Sequence, residues 1–405
     1  MLTQFPRYMT YAKRTLIAAC AFLTGASVQG ASSLPFADNV QLRDGLPNAR
    51  LQFETTHQGR VAFIGGSITE MEGYRPLVSD LLQKRYPATK FEFINAGVSS
   101  TCSTTGAFRL GSDVLRAGRV DLLFVEFAVN DDQDARHTRE ECIRGIEGII
   151  RHARRVNPKM DIVITFFLNE AMLHTLQDGN VPLTIGAHEE VAKYYGIPTI
   201  NLAREVAVEI TAGRLTWKQY GGVHPARFGN EICCGMIGEL FDRAWRIPLA
   251  SDAQAISHVS RPPMDPWSYE EGRFVDPRKA RVDHGWAWGI PDWRSLPGIK
   301  RDRFTTVPML SGTEAGAQLY LEFEGTAVGA YVVAGPDAGI AEVSVDGSEF
   351  RAVNLYHHFS ANLHYPRTVM FAGELRPGKH SLRLRISQDS TSAGHAVRIM
   401  QFTAN

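Results

Sequence analysis

The decisive stretch is VAFIGGSITE, residues 61–70, where an apolar run meets two glycines and a serine. Val61 to Ile64 carry no alternating polar residues, so they read as a strand buried on both faces. Ser67 follows directly after the glycines. It is either the first polar residue of a turn or a nucleophile presented at the end of a strand, and the rest of the chain decides between the two.

Outward from this run the pattern repeats. Strand-like segments are RVAFIG (60–65), KFEFINAG (90–97), VDLLFVEFAVN (120–130), MDIVITFFLN (160–169) and GIPTINLA (196–203). Helix-like segments lie between them, such as Pro76–Arg85 and Thr138–Arg155. In the second of these Ile143, Ile146, Ile149, Ile150 and Ala153 share one helical face. Apolar strands alternating with helices predict a parallel sheet covered on both sides, a doubly wound α/β domain over residues 59–249.

After Arg246 the composition changes. PLASDAQAISHVSRPPMDP (248–266) is rich in Pro, Ser and Asp, and a linker is expected over 250–265. Beyond it, AQLYLEFEG (317–325), AVGAYVVAG (327–335), IAEVSVDGSEFRAV (340–353) and HSLRLRIS (380–387) alternate with turn signals, including the hairpin-type Asp346-Gly347. Residues 266–405 are therefore expected to form an all-β sandwich, jelly-roll-like.

The first thirty residues read as an address. Arg7, Lys13 and Arg14 precede TLIAACAFL (15–23), and small residues follow up to Gly30, the form of an export signal. The apolar run is short for a membrane span, so no stable membrane insertion is expected. IAAC around Cys20 is a faint lipoprotein-like box, and export without an anchor is the preferred reading. Residues 31–58 form an N-terminal segment of unassigned role. Cys102, Cys142, Cys233 and Cys234 remain, too few for a disulfide scaffold and in no zinc-type spacing. Lys+Arg and Asp+Glu each number 43, for a formal net charge of +0, so nothing suggests a nucleic-acid partner. Oligomeric state is not legible.

In open α/β sheets ligands bind beyond the carboxyl ends of the strands. Strand one ends in GGSIT, strand two in NAGVSST and strand three in FAVND, and YGGVHPARFGN leads into the last helix. Ser67, Gly97, Asn130 and His224 thus converge on one edge. Acyl transfer needs such a set: a hydroxyl, a base of near-neutral pKa, and fixed donors for a tetrahedral oxyanion. The N–H groups of Ser67 and Gly97 and the side-chain amide of Asn130 are the candidate donors.

These four blocks, in this order, resemble the SGNH/GDSL hydrolase superfamily. The resemblance implies a flavodoxin-like three-layer α/β/α fold and ester hydrolysis without metal or other cofactor. Its carbohydrate esterases often carry an appended β-domain. Two positions depart from its pattern. Gly66 stands where an Asp usually precedes the nucleophile, and Gly221 stands where the acid of the triad precedes the His by three residues. His224 is then oriented by a backbone carbonyl, by water, or by an acid from elsewhere; Asp131, Asp132 and Asp134 are the acids to test. Otherwise these aspartates are solvated or cap the helix starting near Thr138. Glu126, inside an apolar strand, reads as a structural hydrogen-bonding carboxylate, with a catalytic role as the alternative. His357, His358 and His364 read as exposed loop histidines, with a metal site as the alternative. Trp286, Trp288 and Trp293 either seal a domain interface or form a sugar-stacking platform.

The expectation is an exported serine esterase that removes O-acyl groups, acetyl foremost, from a carbohydrate. The alternatives are a lipid or thioester acylhydrolase, and a non-catalytic glycan-binding protein on the same scaffold.

Overall fold

The computed structural model describes Phe36 and residues 38–405; the expected export signal lies outside them. Six strands form the first sheet: β1 (Val40–Gln41), β2 (Gln58–Gly65), β3 (Lys90–Gly97), β4 (Leu122–Glu126), β5 (Asp161–Thr165) and β6 (Thr199–Ile200). Their order is β1-β6-β5-β4-β2-β3, parallel throughout except for β1 against β6. Every residue of β4 and β5 is buried, as a sheet covered on both faces requires. The connecting helices are α1 (Pro47–Thr56), α2 (Ser67–Glu70), α3 (Tyr74–Arg85), α4 (Ser103–Asp113), α5 (Arg139–Val156), α6 (Glu170–Gln177), α7 (Leu183–Tyr194), α8 (Leu202–Thr211), α9 (Trp217–Tyr220) and α10 (Arg227–Ala244). Thr138 caps α5 in a reciprocal box with Glu141, where the sequence places the helix start.

Two local differences from the sequence pattern have clear causes. The segment before residue 59 belongs to this domain: β1 extends the sheet edge, and α1 takes its N-terminal cap from another strand. The amides of Asn48 and Ala49 donate to Asp161 Oδ2 at 2.9 and 2.7 Å, satisfying donors that the helix itself leaves open. The strand predicted over 120–130 stops, as β4, at Glu126, yet Phe127, Ala128 and Val129 stay buried. Apolarity reports burial, not extension, so the run hides the point where the chain turns.

The second part contains β7 (Arg273–Val275), β8 (Arg281–Val282), β9 (Trp286–Gly289), β10 (Met309–Gly312), β11 (Gln318–Gly325), β12 (Val328–Ala334), β13 (Ile340–Val345), β14 (Arg351–Asn354), β15 (Tyr365–Ala372), β16 (Gly378–Ile386) and β17 (Val397–Ala404), with one short helix, α11 (Asp302–Thr305). One antiparallel sheet runs β15-β12-β17-β10-β9 with β7 beside β17, the other β14-β13-β16-β11-β8. Asp346 and Gly347, at φ 52° and 79°, make the left-handed turn between β13 and β14.

All of β12 is buried because both its faces are covered. Val328, Ala330, Val332 and Ala334 enter the sandwich core. Tyr331 and Val333 join Met309, Phe304, Met400 and Val98 of the α/β domain in a separate cluster. The sandwich therefore docks one sheet face onto the α/β domain. The expected linker is strapped to it as well. Glu147 of α5, fully buried, accepts the amides of Met264 and Asp265 at 2.6 and 2.9 Å and the Tyr195 hydroxyl at 2.5 Å. His258 reaches Asp161 at 2.9 Å.

The tryptophans do not form one platform. Trp293 packs on the interdomain cluster, Trp286 on the sandwich core, and Trp288 is exposed under Arg278. Of the three histidines only His358 is exposed, and it opens a 3-10 turn (His358–Ala361). His357 and His364 are buried, with Nε2 against the carbonyls of Asp134 and Pro297 at 2.7 and 2.9 Å. The four cysteines are free thiols, all buried except the partly exposed Cys234. Among the described residues no helix is long and apolar enough to cross a membrane.

Candidate active site

Ser67 is the first residue of α2, immediately beyond β2, and its Oγ lies 2.7 Å from His224 Nε2. The His comes from the loop between α9 and α10. That loop is built tightly: Thr216 and Gln219 cap α9, Gly221 and Gly222 end it in left-handed conformation, and the Ala226 amide returns to the Tyr220 carbonyl at 2.8 Å. Asn230 Nδ2 holds the Pro225 carbonyl at 2.8 Å from the first turns of α10. The two chemistry-bearing side chains, 157 positions apart in sequence, thus meet through two rigid helix ends.

The absent acid at 221 has a backbone reason. Gly221 has φ +107°, and a Cβ there would sit 2.1 Å from the Ala226 nitrogen. A side chain at this position cannot coexist with the loop that presents His224. Gly221→Asp is therefore expected to lower stability by about 1–3 kcal/mol and to leave esterase activity below wild type. Melting temperature and ester turnover check this; a gain in kcat would show that the family geometry can be restored.

None of the three aspartates takes the acid's place. Among the described residues, no carboxylate lies within ion-pair distance of His224. Asp132 accepts Asn169 Nδ2 at 2.7 Å. Asp134 accepts Asn130 Nδ2 at 2.6 Å and the Tyr365 hydroxyl at 2.8 Å. Asp131 accepts the Ser103 amide and hydroxyl at 2.7 and 2.6 Å and lies 2.8 Å from His188 Nε2. Asp131 and Asp134 are buried rather than solvated. Residues Asn130–Ala135 wind into a π-helical turn that draws them inward.

Asn130 is buried beneath the rim. Its Oδ1 lies against Gly66, where a Cβ would come within 1.9 Å of it. Gly66 thus gives the room that the Asn130 amide occupies, and any side chain there would displace it. Gly97, paired in register with Gly65 at the ends of β3 and β2, makes space of a different kind. A Cβ at 97 would meet the Glu70 nitrogen at 2.2 Å, so its smallness lets α2 pack on β3. The Gly97 N–H donates to the exposed Asn95 side chain at 3.0 Å.

Several supports escaped the sequence reading. Arg109 of α4, 1% exposed, donates to the carbonyls of Ala96 and Gly65 at 2.5 and 2.8 Å and ties together the strand ends that carry Gly97 and Ser67. An arginine amid the small and apolar residues of STTGAFRLG was the available signal. From the β-sandwich side, Arg301 and Arg303 donate to the Ser99 and Gly97 carbonyls at 2.8 and 2.9 Å, and Arg303 pairs with Glu70 at 2.7 Å. No local pattern announces these.

Glu126 is a hydrogen-bonding carboxylate, as expected: its Oε2 accepts the Thr69 hydroxyl of α2 at 3.2 Å. Burial pushes its pKa up to about 7. A carboxyl whose pKa is raised on folding favours the folded state below its unfolded value and loses that advantage as pH rises through the folded one. Glu126→Gln should therefore match wild-type stability near pH 4 and exceed it by roughly 3 kcal/mol at pH 8. Denaturant titration at the two pH values reads the difference; equal differences would place the carboxyl in a solvated environment.

Two groups of donors have metal-like proximity: Cys102, Asp131 and His137, and Asp131, Cys142 and His188, each within 4.8 Å. The shared carboxylate already holds three hydrogen bonds, so it serves as a hub joining α4, the π-helical turn and α7. Burial raises the Asp131 carboxyl, but the His137 and His188 rings outweigh it and hold it below the ordinary range.

A serine and a histidine in hydrogen-bond contact beyond the carboxyl ends of a doubly wound sheet are an arrangement that can carry out acyl transfer. Residues 63–232, most of the α/β part, form a domain that matches the GDSL-like Lipase/Acylhydrolase family. No curated protein sequence matches the chain. The fold as a whole is similar to a two-domain esterase (CEX) active on acetylated mannans. The TM-score is 0.70 at 19% identity over 91% of this chain and 97% of that one. The same esterase co-crystallized with mannopentaose gives 0.69 at 18%, over 90% and 98%. At such identity the likeness is one of fold, and it extends through the β-sandwich.

Proposed function

We propose that this protein is an exported, metal-independent serine esterase that removes O-acetyl groups from a carbohydrate, with Ser67 as nucleophile and His224 as general base. The observation that carries the reading is the 2.7 Å contact between Ser67 Oγ and His224 Nε2. His224 Nε2 takes the hydroxyl proton as Ser67 Oγ attacks the acyl carbonyl, then returns it to the departing sugar hydroxyl. Water repeats the sequence on the acyl-enzyme. The base works in a dyad: His224 is exposed and no carboxylate of the described residues reaches it, which leaves Nδ1 open to solvent. The Ser67 N–H and the Asn130 amide face the oxyanion, and the Gly97 N–H exchanges its Asn95 partner for it.

The carbohydrate assignment is supported by the two-domain fold shared with an esterase active on acetylated mannans. An exposed dyad also suits a polymer-borne acetyl group better than a long acyl chain. The test is labelling of the wild type with a fluorophosphonate, followed by turnover of acetyl and longer p-nitrophenyl esters and acetate release from acetylated mannan. Labelling at Ser67 with acetyl preference supports the reading. A protein inert to label and esters is a glycan-binding protein on this scaffold, and preference for long chains makes it a lipid acylhydrolase.

A further inference from the structure

The Asn130 loop is gripped from the β-sandwich, and we infer that Tyr365, acting through Asp134, sets which end of the Asn130 amide faces the oxyanion. This rests on the esterase reading above and adds a positioning residue from the second domain.

The two ends of an amide are nearly equal in size, so packing alone does not choose between them. The choice matters here. Nitrogen toward the substrate supplies a donor, whereas oxygen would place an acceptor beside developing negative charge. Asp134 decides it. Its Oδ2 accepts Asn130 Nδ2 at 2.6 Å, and a half-turn of the amide would set a carbonyl oxygen at that distance from a carboxylate. One N–H of Nδ2 is used in this way and the other stays available. Asn130 Oδ1 is left buried without a hydrogen-bond partner in the space beside Gly66, a cost accepted only where something holds the group in place.

What holds Asp134 comes from the other domain. The Tyr365 hydroxyl, on β15 and 1% exposed, donates to Asp134 Oδ1 at 2.8 Å. His357 stacks on the Tyr365 ring at 4.3 Å between centroids. Its Nδ1 accepts the Phe359 amide at 3.3 Å, which leaves the proton on Nε2 to donate to the Asp134 carbonyl at 2.7 Å. Gln133 Nε2 adds a contact to Oδ2 at 3.3 Å. Asp134 is thus fixed at carboxylate and backbone by two sandwich residues, and Tyr365, Asp134 and Asn130 form a buried chain across the domain boundary. Burial lifts the Asp134 carboxyl above its ordinary range, and the Tyr365 and Asn130 donors offset only part of that rise.

Tyr365→Phe keeps the ring and its stacking and removes only the hydroxyl. With a short-chain acetyl ester as probe, kcat should fall about tenfold to a hundredfold, part of the roughly 10²–10³ that an oxyanion donor is worth, with KM within about twofold. The decisive readout is the same substitution in an Asn130→Ala background, where it should change kcat no further. Asp134→Asn, which neutralises the discriminating charge, should behave alike and serves if the Phe variant melts below the assay temperature. Wild-type kcat in both single variants, or an equal loss with and without Asn130, overturns the inference and leaves the esterase reading standing. A wild type inert to esters and to fluorophosphonate overturns both.

Discussion

Ser67→Ala is expected to fold like the wild type and to retain less than about a thousandth of its ester turnover, the scale of loss when a nucleophile is removed from such machinery. Folding should survive because Ser67 is partly exposed and its Oγ hydrogen-bonds only His224 among the described side chains. Alanine is also a good residue for the first turn of a helix. Turnover should not survive, because among the described residues no other hydroxyl lies in hydrogen-bond contact with His224. Water attacking directly would keep the oxyanion donors but lack the covalent step. Melting temperature, fluorophosphonate labelling and acetate release settle it together. An unlabelled variant with the wild-type melt and no turnover is the expected result; turnover above a thousandth would remove Ser67 as nucleophile.

Asn130→Ala is expected to lower kcat by roughly 10²–10³ with KM little changed, since the donor acts where charge develops in the transition state. A stability cost accompanies it. Asp134 loses one of its donors while remaining buried, worth about 1–3 kcal/mol, so kinetics must be read well below the melting transition. A loss confined to KM would make Asn130 a contact to the bound substrate instead. Gly66→Ala offers an independent approach to the same amide: its Cβ would fall on the Asn130 oxygen, displacing the side chain without deleting it.

Much of this was legible before any coordinates. The uninterrupted apolar runs of β2, β4 and β5 require a sheet covered on both faces, and the helices between them make it parallel. A parallel sheet brings its strand ends to one rim, which is why Ser67, Gly97 and Asn130 were identifiable from short blocks ending apolar runs. Asp-Gly at 346–347 and the alternating C-terminal strands announced the sandwich in the same local way.

What the sequence could not show are relations between distant backbone atoms. Gly221 reads as a missing acid; only the loop from α9 to α10 shows that a Cβ there meets the Ala226 nitrogen. Gly97 reads as an oxyanion donor, and packing adds a second demand that sequence does not show: its smallness lets α2 lie on β3. Asp134 reads as a solvated, helix-capping or orienting acid, yet it is buried under Tyr365 and His357 of the sandwich, more than two hundred residues away. Sequence by itself determined the elements, their layering and the residues at the rim, because these follow from periodicity and turn chemistry. Tertiary structure decided which of them touch, which N–H groups are already taken and which domain steadies the site, because those depend on where the sandwich docks, and no local pattern encodes that.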